Sequence, residues 1–144
     1  MTTASAYGIG AAVRAPHERV VELVRQALQA EGFGVLSEID VRATLKRKLD
    51  LDVPPYLILG ACNPALASQA LREEADVGLL LPCNVVVYEE PGGRTRVAAL
   101  DPIVQLGLTN RKALVPIARE ARERLVRVVR SVAKQTQAVA EEAL

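Results

Sequence analysis

The sequence predicts an α+β fold: one mainly antiparallel sheet with helices packed on it, in the order β-α-β-(short α)-β-α-β-β-α. Three observations carry this. Aliphatic strand-like runs recur at Tyr7–Val13, Phe33–Val41, Tyr56–Ala61, Val77–Glu89 and Arg94–Leu100. Helical spacing of apolar residues appears between the first two runs, between the third and fourth, and after the last. Pro91-Gly92-Gly93 turns one run straight back on the next, so strands do not alternate strictly with full-length helices, as a doubly wound parallel sheet would require.

Each element has its own signal. Tyr7–Val13 reads as a first strand that Gly8 and Gly10 weaken. Pro16 suits the start of a helix, whose inner face is Val20, Leu23, Val24, Ala27 and Leu28 and whose end is Gly32. In the second strand, alternation puts Val35, Ser37, Ile39 and Val41 on one face and Leu36, Glu38 and Asp40 on the other. Arg42–Leu49 is a short amphipathic helix, and Tyr56–Ala61 a compact third strand. Asn63-Pro64 opens the next helix, because asparagine caps well and proline fits the position after it. Val77–Glu89 is a strand, or strand pair, interrupted by Pro82. A long C-terminal helix starts near Asn110 with the stripe Leu114, Ala118, Ala121, Leu125, Val128, Val132 and Val139. Continued to Glu142, it would have ~30 residues and span ~45 Å, more than one small domain needs. A second copy of the chain accounts for that length, and a homodimer is expected.

Composition bounds the class. The chain has 144 residues, half of them hydrophobic, with 18 basic and 17 acidic side chains. That is the size of a single domain, residues 1–144, and too apolar and too near neutral for a disordered chain. The run Val77–Tyr88 is broken by Pro82 and Asn84 and falls short of the ~18 apolar residues of a membrane span. The first residues lack the basic and apolar regions of a secretory signal, so a cytoplasmic protein with reduced thiols is expected. With no Trp and one Phe, the core must be aliphatic; with one histidine, His17, a His-rich zinc site cannot form within one chain.

Two Cys-Asn dipeptides, Cys62-Asn63 and Cys83-Asn84, are the sharpest candidate site. Cys62 precedes a helix start, where backbone N–H groups favour a thiolate. A bulge after Pro82 would turn Cys83 toward the same edge. Converging thiols could form a dithiol pair, a soft-metal site or a nucleophile; the plainer reading is two buried cysteines acting as small hydrophobes. Asn63 and Asn84 read as a cap and a left-handed bulge residue, or as ligand contacts. Glu38 and Asp40 lie ~7 Å apart on one strand face and could hold a hard metal or share acid–base work, with Asp101 as a third carboxylate; local ion pairs on an exposed face are the alternative. His17 reads as a solvated first-turn residue. The C-terminal helix is rich in basic residues, Arg111, Lys112, Arg119, Arg122, Arg124, Arg127, Arg130 and Lys134 among them, but no aromatic follows Tyr88 for base stacking. A solvated, salt-bridged face fits better than nucleic-acid binding. No phosphate-loop or nucleophile-elbow motif is present, and the residues assign no cofactor.

Three blocks in order carry a resemblance: Glu31-Gly32-Phe33-Gly34-Val35-Leu36-Ser37-Glu38-Ile39-Asp40-Val41, then Tyr56-Leu57-Ile58-Leu59-Gly60-Ala61-Cys62-Asn63-Pro64, then Gly78-Leu79-Leu80-Leu81-Pro82-Cys83-Asn84-Val85-Val86-Val87. Together they resemble the bacterial and archaeal family called domain of unknown function 302. The resemblance implies a small single-domain α+β protein forming a homodimer; it assigns no reaction and no catalytic residue. The expected function is a small-ligand or soft-metal binding dimer, with contacts drawn from Cys62, Asn63, Cys83, Asn84, Glu38 and Asp40 and with Cys62 and Cys83 as metal candidates. The competing readings are a thiol-dependent enzyme using Cys62 and an interaction module with structural cysteines.

Overall fold

The computed structural model describes residues 5–141. Its elements are β1 (Gly8–Arg14), α1 (His17–Ala30), β2 (Gly34–Asp40), α2 (Val41–Leu49), β3 (Tyr56–Cys62), α3 (Pro64–Glu73), β4 (Cys83–Glu90), β5 (Arg94–Leu100), α4 (Pro102–Gly107), α5 (Val115–Gln135) and β6 (Gln137–Glu141). The α+β class and the order of the five expected strands hold. The strands form one antiparallel sheet in the order β2-β3-β4-β5-β1, and β6 adds a sixth strand beside β1.

Three local features differ from the sequence reading. First, Val77–Leu81 is not strand: Ala75–Leu80 forms a 3-10 helix, the Leu81–Pro82 bond is cis, and β4 begins at Cys83. Pro82 has no N–H to give a ladder, which sets that limit. Pairing then runs unbroken from Ala61↔Cys83 and Gly60↔Asn84, so there is no bulge at either Cys83 or Asn84. Second, the bulge lies in β2. Val35 pairs with Ala61 but Ser37 pairs with Gly60, leaving Leu36 as the extra, 70% exposed residue. The shift puts Val35 on the face of Glu38 and Asp40 instead of that of Ser37 and Ile39. Third, the C-terminal helix is long but shorter than ~30 residues: α5 has 21, a span of ~32 Å. It ends where Thr136 turns extended (φ −128, ψ −179) and its hydroxyl donates to the Val132 carbonyl at 2.8 Å. Val139 therefore lies in a strand, a helix of this length needs no second copy to cover it, and Glu142 lies outside the described residues.

The core is aliphatic and has two parts. The larger joins the inner face of the sheet to α1 and α5 through Ile9, Val13, Leu23, Val24, Leu59, Val85, Val97, Leu125 and Val129, with Phe33 as its aromatic member. The smaller lies among α3, α4 and α5 and contains Leu66, Ala70, Val77, Leu106, Leu114, Ile117 and Ala118. The stripe Leu114, Ala118, Leu125, Val128 and Val132 is buried as the spacing implied. Gly10 is required by close approach: a Cβ there would lie 2.8 Å from the Val97 carbonyl oxygen and 2.9 Å from the Arg96 guanidinium.

Candidate functional site

Cys62 ends β3 and Cys83 begins its antiparallel neighbour β4, directly across from Ala61. The pairing brings both cysteines to the same end of the sheet, where they border one cavity of ≈ 50 Å³. This cavity sits on the seam between the two cores. Phe33, Ala61, Cys83 and Leu125 reach it from the larger core, and Leu66, Ala70, Leu106 and Ile117 from the smaller. Asn63 and Gln105 are the polar residues among its walls. The half-buried Cys62, Ala67, Leu81 and Ala121 mark its mouth.

The chemistry of the two thiols follows from their burial. Burial foremost, and the Asp101 carboxylate next, push the Cys83 thiol up to about 12; its Sγ donates to the Leu100 carbonyl at 3.3 Å. Burial also pushes the Cys62 thiol up. At the start of α3 the Leu66 N–H is taken by Asn63, whose Oδ1 accepts it at 3.2 Å, so that donor is not left for a Cys62 thiolate. Both sulfurs are therefore neutral thiols at neutral pH, suited to contact and not to nucleophilic attack.

Of the other sequence candidates, Asn63 borders the cavity and Asn84, Glu38 and Asp40 do not. Asn84 is an exposed strand residue; the left-handed non-glycine positions among the described residues are Asp50 and Asn110. Glu38 makes an ion pair with Arg25 of α1. Asp40 caps α2 by accepting the Ala43 N–H at 2.9 Å. Asp101 caps α4 in the same way and pairs with Arg122 at 3.2 Å. Among the described residues no three His, Cys, Asp or Glu side chains gather as a metal site. His17 is half-buried and not fully solvated: its Nε2 donates to the Val87 carbonyl at 2.9 Å, and it borders a different cleft together with Asp40.

The walls that the sequence reading missed come from α4 and α5. Asp101-Pro102 repeats the cap-then-proline signal of Asn63-Pro64 and could have revealed α4, which carries Gln105 and Leu106. Gln105 is buried, and its amide donates to the Leu80 carbonyl, tying α4 to the 3-10 helix that leads into Cys83.

Comparison with known proteins agrees with this architecture. The crystal structure of an uncharacterized conserved protein DUF302 from Bacillus stearothermophilus is similar with a TM-score of 0.81 and 33% identity, over 89% of this chain and 99% of the other. No curated protein matches the chain. The family model described as Domain of unknown function DUF302 matches residues 9–132, and the chain belongs to that family.

Proposed function

We propose that this protein binds a small apolar ligand, or the apolar end of a larger one, in the cavity bordered by Cys62, Asn63 and Cys83. The carrying observation is that cavity itself: an opening between two otherwise closed cores, walled mainly by apolar side chains and two neutral thiols, with the Asn63 and Gln105 amides engaged by the Leu66 N–H and the Leu80 carbonyl. At ≈ 50 Å³ it exceeds the ~10–15 Å³ that a single water needs, and its apolar walls offer that water few partners. The raised thiols and the distant His17 count against a thiol-dependent enzyme.

Xenon is a fitting probe, since dry apolar cavities take it up. Amide spectra recorded under increasing xenon pressure should show saturable shifts at Cys62, Ala67, Ala70 and Leu106. Ala70→Leu, which fills the space from α3, should abolish them; shifts spread evenly over the chain would refute the site. A second reading, a two-thiol soft-metal site, is favoured by the shared cavity border of the two cysteines. It requires stoichiometric Cu(I) uptake that Cys62→Ser abolishes.

The setting proposed is a homodimer in the cytoplasm, where free thiols stay reduced. The sheet face opposite α1 and α5 supports the dimer. Its row Ile39, Ile58, Val86 and Ala98 is only partly covered, and Tyr56 and Tyr88 stack beside it with ring centroids 4.9 Å apart. Five strands of seven or eight residues make a face of ~24 Å by ~23 Å, of the order of the ~800 Å² per partner in a standard interface.

A further inference from the structure

The basic residues near the C-terminus do not share one role. Arg122 reaches Asp101 at 3.2 Å, Arg127 reaches Glu31 at 2.9 Å, and Arg124 bonds the Glu31 carbonyl at 2.9 Å and Glu120 at 3.1 Å. The bonds to Asp101 and Glu31 tie α5 to the rest of the fold, and the one to Glu120 lies within the helix. Lys112 and Arg119 pair with no acid among the described residues, and Arg111 only approaches Glu74, at 3.7 Å. All three cations rim one groove of ≈ 370 Å³ at the joint between α4 and α5.

The groove has a distinct chemistry. Its floor and walls include Ile103, Leu106, Val115 and Ala118, and among the described residues no carboxylate lines it. Ile103 is 46% exposed and Val115 43%, so apolar surface faces water beside the three cations. The joint is held in shape by its own bonds. The Thr109 hydroxyl donates to the Leu106 carbonyl at 2.7 Å, Asn110 takes a left-handed φ of 55, and the Leu114 N–H reaches the Arg111 carbonyl at 3.1 Å. The groove is thus largely preformed, and its volume falls within the ~300–1,000 Å³ of small-molecule pockets.

An apolar floor with a cationic rim complements a molecule that is apolar along its length and negative at one end. A free inorganic anion would gain nothing from exposed Ile103 and Val115. A neutral hydrocarbon would gain nothing from Lys112 and Arg119. We infer that this groove binds a single-chain anionic amphiphile of the fatty-acid class. The alkyl chain lies on Ile103, Leu106, Val115 and Ala118, and the carboxylate meets Lys112 and Arg119, where arginine can offer two parallel N–H donors. The site is separate from the cysteine cavity, with Leu106 as a shared wall, and does not depend on that cavity having a ligand.

The test is an amide-spectrum titration of the full chain with decanoate, kept below its micelle concentration, and with decanol at the same ionic strength. Decanoate should give saturable shifts centred on residues 103–119 and bind at least tenfold more tightly than decanol. The double variant Lys112→Glu/Arg119→Glu, at two exposed positions, should weaken decanoate at least tenfold and leave decanol unchanged. If that variant does not fold, the decanoate-to-decanol ratio of the unaltered chain decides. Equal affinities overturn the inference, as do shifts centred on Cys62, Ala67 and Ala70. Sedimentation with phosphatidylglycerol vesicles without saturable decanoate binding would assign the surface to a membrane and overturn it too.

Discussion

At the scale of single residues, the buried thiol makes the sharpest prediction. Cys83 holds its proton up to about pH 12 in the folded chain, against 9.0 for an ordinary thiol. Between those values the unfolded chain has lost a proton that the folded chain keeps. Its contribution to stability is therefore complete below pH 9 and falls as pH rises, by at most about 1.4 kcal/mol per pH unit. Urea unfolding from about pH 9 to pH 11 should show this slope, and Cys83→Ala should lack that part of it. Equal slopes in the two proteins would mean that Cys83 titrates normally. Local spacing placed Cys62 at a strand end and Asn63 at a helix cap, but it placed Cys83 inside a strand at a bulge that is absent; the strand boundary after Pro82 is what brings Cys83 to the same end of the sheet. Local spacing was not enough for Glu38 and Asp40. Their carboxylates share a face as alternation implied, but Arg25 and the Ala43 N–H occupy them, and both partners depend on tertiary placement. Asn84 misled because the extra residue that bends the sheet is Leu36, which has no turn chemistry to reveal it.

At the scale of elements, periodicity located α1, α3, α5 and the five main strands. It failed where two periods fit the same residues. The segment from Gln137 to Glu141 continues a helical stripe on paper, yet it pairs with β1 through Ala11↔Glu141 to Arg14↔Gln137. The interior strand β1, with Ala11, Ala12 and Val13 fully buried, would otherwise present an open edge. Truncation after Gln135 should leave α5 intact while exposing that edge. Hydrogen exchange should then accelerate at those β1 amides that lose their β6 partner, and the truncated chain should self-associate. Unchanged protection across Ala11–Arg14 would show that β6 contributes nothing to the edge. The short α4 escaped periodicity because six residues cannot show a repeat, although its cap-and-proline start was legible.

At the scale of the whole molecule, the fold is one sheet with a main core, to which α3, α4 and the start of α5 add a second. The seam between the cores made the cavity, and no linear pattern records a seam. The partly covered opposite face of the sheet bears on assembly. If it joins two copies, light scattering after sizing should give twice the chain mass, and Val86→Glu, at the centre of that face, should give monomers that remain folded. A monomeric parent chain would remove the dimer. The apolar cavity bordered by Cys62 and Cys83 carries the proposed function. A crystal of the protein pressurised with xenon tests it most directly. A xenon atom is expected among Cys62, Leu66, Ala70, Leu106 and Ile117, displaced by Ala70→Leu. Xenon bound elsewhere, with that cavity empty or holding ordered water, would contradict it.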